Sequence, residues 1–145
     1  MKYPLLLGLM AVGAAQAQTV GVNLLSLHER GGYNSFTPGV YVLADRPIIG
    51  LNTAGILRNS LGRASVQLGR TWSSPAFTVL GVPFHDVSLS AGGITGYPGA
   101  TVQPFAIPSF RISGLRTMLI PRKPKAHDEP GQPKASRAVS FSLEF

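Results

Sequence analysis

The chain has no cysteine in its 145 residues, so if exported it has no disulfide to offset the limited core of so short a protein. Beyond its first seventeen residues it has no run approaching 18 apolar residues, which excludes a helix that crosses a membrane. Acidic residues are scarce, six against thirteen basic ones, and the formal charge of +7 directs attention to anionic partners. The three histidines, His28, His85 and His127, have no ligand-like spacing, so neither a metal site nor a cofactor is expected. No glycine-rich phosphate cradle is present either. Glycine and proline are instead abundant, 17 and 12, and they fall between and within segments of alternating polarity rather than in a low-complexity tract.

Residues 1–17 read as a secretory signal peptide. Lys2 gives the positive start, residues 4–14 the apolar run, and Ala15-Gln16-Ala17 the small-residue cleavage site. The expected mature domain is residues 18–145. Export makes nucleic acid an improbable target of the positive charge and favours anionic lipid or lipopolysaccharide phosphates.

The last ten residues show the dominant pattern. Val139, Phe141, Leu143 and Phe145 share one parity, and Ala138, Ser140, Ser142 and Glu144 share the other. A strand points successive side chains to opposite faces, so one face is apolar and the other small or polar. Similar segments occur at 20–28 (mixed in parity), 38–44, 49–58, 63–72, 85–95, 101–112 and 115–121. Reversals are expected at Asp45-Arg46-Pro47, Asn59-Ser60-Leu61-Gly62, Tyr97-Pro98-Gly99 and the two-residue Ser113-Gly114. A short additional strand is expected within 77–82.

Eight strands behind a signal peptide predict an all-β fold, an eight-stranded antiparallel transmembrane β-barrel of the bacterial outer membrane. Trp72 then fits an interfacial girdle. With the N-terminus in the periplasm, the loops at 29–37, 59–62, 96–100 and 121–135 are extracellular. Alternation alone is equally compatible with a soluble two-sheet sandwich, whose apolar face covers a core.

The barrel order gathers His28, Asn59 and Ser60 at one rim, flanked by Arg58 and Arg63. An imidazole near a hydroxyl is the minimum for nucleophilic acyl transfer. The same residues have an ordinary reading: Asn and Ser bond their own backbone in turns, and a histidine at a strand end is commonly a surface residue. His85-Asp86 belongs to the opposite end and reads as structural.

Several fragments occur in an order that resembles the lipid A palmitoyltransferase family. They are Ser26-Leu27-His28-Glu29-Arg30, Tyr33-Asn34, Pro38-Gly39-Val40-Tyr41, and residues 54–60 running into 67–72. Residues 89–96, the proline-marked 104–108, Met118-Leu119-Ile120-Pro121 and the aromatic end 141–145 complete the set. The resemblance implies a small outer-membrane barrel that moves an acyl chain from phospholipid to lipid A. In that frame His28 is general base, Ser60 the nucleophile or stabilising hydroxyl, and Asn59 an orienter where the family has an acidic residue. Pro38, Pro104 and Pro108 would then mark lateral gaps that admit lipid. The family's N-terminal amphipathic helix has no counterpart here.

Arg58, Arg63, Lys123 and Lys125 are candidate contacts to substrate phosphates, the last two in a basic loop at 122–137. The expected partners are membrane phospholipid and lipopolysaccharide, and the expected state is a monomer. A non-catalytic barrel that binds lipopolysaccharide or shields the cell surface is the alternative, and Asn59 favours it.

Overall fold

The computed structural model describes residues 17–121 and 136–145. Eight of its strands close into one antiparallel barrel: β1 (Ala17–His28), β2 (Phe36–Ile48), β3 (Leu51–Arg58), β4 (Ala64–Ser73), β7 (Asp86–Ile94), β8 (Gln103–Ile112), β9 (Leu115–Ile120) and β10 (Ala138–Glu144). Between β4 and β7, β5 (Phe77–Val79) and β6 (Val82–Phe84) form a separate hairpin. β1 and β10 seal the ring, with register from Gly21↔Glu144 to His28↔Ala138. A closed ring forms where a two-sheet sandwich was the other possibility. The expected signal peptide, apart from Ala17, and Lys123, Lys125 and His127 lie outside the described residues.

Polarity is inverted relative to a soluble core. Among the described residues the buried hydrophobic side chains are Tyr41, Ala44 and Ala138, whereas Asn23, Ser26, Thr37, Ser65, Ser88, Arg116 and Glu144 are all buried. Val20, Leu27, Val40, Ile56, Leu89, Leu119 and Leu143 are exposed on the outside. In β10 the parity is as expected, with Ala138, Ser140, Ser142 and Glu144 inward. The mixed parity of β1 has a local cause. Against β10, Asn23 and Leu25 face the consecutive Ser142 and Phe141, so Leu24 is the extra residue of a bulge; against β2 the extra residue lies on β2, between Phe36 and Gly39. The bulge lets Gly21 and Asn23 before it, and Ser26 and His28 after it, all face inward.

One reversal differs from expectation. Asp45-Arg46-Pro47 does not turn the chain; β2 continues through it with an irregular register, and the turn falls at Ile49-Gly50. Proline lacks a donor, and a bulged strand end is where a sheet accepts that. Ile49-Gly50, Leu80-Gly81 and Ser113-Gly114 all have two successive positive φ values, 52 and 78°, 49 and 81°, 48 and 82°. That is the backbone of type I′ hairpins, whose twist matches the strands. These three turns share an end of the barrel with Ala17 and Phe145, the turn end. The opposite, loop end carries the connections β1–β2, β3–β4, β7–β8 and β9–β10.

The turn end of the lumen is filled by charge. Arg116 donates to both carboxylate oxygens of Asp86 at 2.9 and 3.1 Å, and to both of Glu144, one of them at 3.1 Å. Arg111 lies 3.1 Å from Asp86 and 3.2 Å from Glu144. Tyr41 donates to Glu144, and its ring lies where a Cβ on Gly21 would be. Two cations and two anions therefore close the lumen as a neutral set, with Ser88 and Ser109 accepting the remaining Arg116 donor. His85-Asp86 is structural, as expected, through Asp86.

Candidate functional site

Above the charged cluster the lumen is hollow. A cavity of about 180 Å³ extends toward the loop end, and His28, Ser60, Tyr33 and Tyr97 all line it. A smaller space of about 40 Å³ lies beneath, between the shared residues Gln67, Phe105, Ile107 and Met118 and the pair Arg116 and Glu144. The cavity wall is chemically divided. Phe105 and Ile107 from β8 and Met118 and Ile120 from β9 make an apolar side; Asn23, Ser26, Thr37 and Ser140 make a polar one. Ser26 ties that polar side together, at 3.0 Å from both Thr37 and Ser140. Phe105 fits because Gly69 and Gly92 face each other beneath it, and a Cβ on Gly92 would collide with the Leu68 carbonyl.

His28 is placed by the bulge and held by a face. Its ring stacks on Tyr33, with centroids 4.4 Å apart and planes 11° from parallel. Both ring nitrogens are buried and neither has a hydrogen-bond partner. Asn23 Oδ1, on the same wall, is in the same condition. Buried polar atoms in native proteins are nearly all paired, so these three call for partners inside the cavity, from water or from the polar atoms of a ligand.

Ser60 sits in the expected turn and is buried. Its backbone carbonyl accepts from Asn34 N at 2.8 Å, which ties the β1–β2 loop to the β3–β4 turn. Its hydroxyl is hydrogen-bonded to Tyr97. Burial raises the Tyr97 phenol above its ordinary range; the Ser60 bond opposes that rise, and Tyr33 adds to it. Tyr97 therefore stays neutral and fixes the position of the Ser60 oxygen.

Asn59 lies in the expected turn, but its amide is engaged away from His28. It is wholly buried, and its two N–H groups donate to Ser65 Oγ and the Gly96 carbonyl, each at 2.9 Å. Its oxygen accepts from Leu61 N and Arg63 N, each at 3.0 Å. All four hydrogen-bonding positions are used, none of them by His28. The orienting contact from Asn59 to His28 is thus not made. Arg58 donates to the Gly62 carbonyl at 3.2 Å, and both Arg58 and Arg63 are exposed on the rim, outside the cavity wall.

Among the described residues, the pairing of β8 with β9 beside the cavity is short. β8 pairs with β7 along Gln103–Arg111, but with β9 only from Ser109↔Met118 to Ile112↔Leu115. Among the described residues, 106–108 thus have no ladder to 119–121, and Pro104 and Pro108 withdraw two donors from that part of β8. Pro104, Phe105, Ile107, Met118 and Ile120 line both the seam and the cavity, so the hollow is bounded by an unzipped strand pair. At Pro38 the β2–β3 ladder likewise stops at Gly39↔Leu57, but there the Asn34–Ser60 bond spans the gap.

The structure therefore brings His28 and Ser60 to one cavity, leaves Arg58 and Arg63 outside it, and turns Asn59 away. Tyr33, Tyr97 and Asn23 carry no role in the sequence reading. The two tyrosines stand in glycine-rich loops that show no parity, and Asn23 precedes a bulge that disguises its face. No protein-family model matches this chain, and no curated protein sequence matches it.

Proposed function

We propose that this chain spans the bacterial outer membrane as a small barrel and transfers a fatty acyl chain from phospholipid to lipid A at its loop end. The observation that carries the reading is the shared cavity. An imidazole with two unpaired nitrogens and a buried serine hydroxyl face one hollow, whose other wall is apolar and bounded by an open seam. The outward apolar surface suits lipid. In this reading an acyl chain reaches the lumen through the β8–β9 seam, with its ester at the rim. His28 takes the proton from the attacking hydroxyl and passes it to the lysophospholipid oxygen that leaves as the old ester breaks. Ser60 is either that hydroxyl, forming an acyl-enzyme that a lipid A hydroxyl then opens to free Ser60, or a donor to the developing oxyanion during direct attack by lipid A; Tyr97 holds Ser60 in place.

Size limits what the lumen holds. An apolar cavity of about 150 Å³ accepts benzene. A cavity of about 180 Å³ therefore encloses only a short stretch of hydrocarbon, and the remainder of a long acyl chain lies in the seam. Mass spectrometry of lipid A from cells expressing the protein tests the proposal. The expected result is a species heavier by one acyl chain, absent with His28→Ala and with Ser60→Ala. Unchanged lipid A in cells with the wild-type barrel folded in the membrane rejects it.

One observation favours a second reading, a non-catalytic barrel that binds lipopolysaccharide at the cell surface. Among the described residues no carboxylate lines the cavity, so none of them stabilises an imidazolium there as the acid of a triad does. In that case His28→Ala leaves the surface phenotype intact, and neutralising Lys123 and Lys125 removes it.

A further inference from the structure

The turn end carries two residues that make no sense for folding alone. Ile49 and Leu80 occupy the first central position of type I′ turns, with φ of 52° and 49°. That position favours Asn, Asp or Gly, and a β-branched side chain is among the worst suited to it. Ser113 holds the same position in the third such turn, so a small polar residue is compatible with the fold. Nor do the two side chains gain burial, since Ile49 is 93% and Leu80 99% exposed. Each residue thus bears backbone strain and exposed apolar surface together, with no compensation from the other described residues.

Their surroundings indicate what does compensate. Ile48 and Leu51 flank the first tip, and Val79 and Val82 the second; all four are exposed. The β5–β6 segment from Ser74 to Phe84 contains no charged residue. Its base is pinned to the outside of the barrel. Phe77 stacks on Phe84 at 5.2 Å, and Phe84 meets Phe110 of β8 edge-on at 6.0 Å. Phe110 lies opposite Val87, which is exposed on the outer wall, so the hairpin continues that apolar surface beyond the end of the barrel. A protein partner would be met by a surface with some polar anchors. An uncharged apolar tip joined to the outer wall matches the boundary between headgroups and acyl chains.

We infer that Ile49 and Leu80 are paired lipid anchors that dip into the leaflet at the turn end and fix the depth of the barrel in the membrane. The inference rests on the membrane-spanning reading above. The absence of cysteine allows a clean test, with single-cysteine variants Ile49→Cys, Leu80→Cys, Ser113→Cys and Leu89→Cys each carrying an environment-sensitive fluorophore in phosphatidylethanolamine–phosphatidylglycerol vesicles. The Ser113→Cys label corrects for the dye's own affinity for lipid, because its turn has the same backbone. The Leu89→Cys label, on the outer wall of β7, reports whether the barrel spans at all.

The expected result is blue-shifted emission at 49 and 80, quenched by phospholipid brominated near the glycerol end and protected from aqueous iodide, with the label at 113 quenched by iodide. If 49 and 80 behave like 113 while 89 is quenched by bromolipid, the anchors are refuted and the spanning barrel stands. If 89 is also quenched by iodide, the spanning barrel fails and the anchors fail with it.

Discussion

Asn59 shows why one atom of difference from a carboxylate matters. One of its N–H groups points at the Gly96 carbonyl, an acceptor only, and a carboxylate there would set two acceptors against each other. Asn59→Asp should therefore not create a catalytic acid. It should lower stability by about 1–3 kcal/mol, the cost of leaving buried partners unsatisfied, and loosen the turn that presents Ser60. Urea unfolding in detergent micelles, followed by the heat-dependent shift in gel mobility, measures it. Equal or higher stability in Asn59→Asp contradicts the assigned bonding. The Asx-type bonding within 59–63 was readable from Asn-Ser-Leu-Gly. The bond to Gly96 was not, because it crosses between two loops 37 residues apart. Tyr97 offers a second test at this scale. In Tyr97→Phe the Ser60 oxygen loses its tether, so if acyl transfer occurs, turnover should fall with folding intact, as lipid A mass spectra and gel mobility would show together.

Among the elements, strand alternation carried most of the fold. Residues 63–72, 85–95 and 136–145 read clearly because their ladders run without interruption, and inward Ser65, Gly69, Ser88, Ser90, Gly92 and Ser140 follow from parity alone. Two places resisted. Asp45-Arg46-Pro47 has the composition of a turn but occupies a bulged strand end, and the true turn places Ile49 where local propensity argues against it. In β1 the bulge at Leu24 reverses the parity halfway, so no single periodicity describes the strand. Deleting Leu24 tests that assignment. Without it, Gly21, Asn23, Ser26 and His28 fall on a single parity and pair with β10 in continuous register, so the heat-modifiable folded band should be retained. Deleting Leu27, outside the bulge, puts Ser26 and His28 on opposite faces and should abolish that band.

Across the whole molecule the barrel is polarised along its axis, hollow at the loop end and filled by ions at the turn end. Parity places Asp86, Arg111, Arg116 and Glu144 inward on four successive strands, and cross-strand register brings them together, with Asp86 opposite Arg111 and Arg111 opposite Arg116. That register between strands is the part of the structure a linear pattern does not contain. The cluster is neutral, so its members should be strongly coupled. Arg116→Met leaves Asp86 and Glu144 sharing Arg111 alone and should cost about 3–5 kcal/mol, the usual penalty for breaking a buried pair from one side. Adding Glu144→Gln restores neutrality, with Arg111 and Asp86 as the remaining pair, and should recover most of that loss. A double-mutant cycle from urea unfolding of the three variants in micelles yields the coupling directly. Additive losses, with the double variant weaker than either single one, would mean that Arg116 fills space at the barrel floor and does not neutralise it.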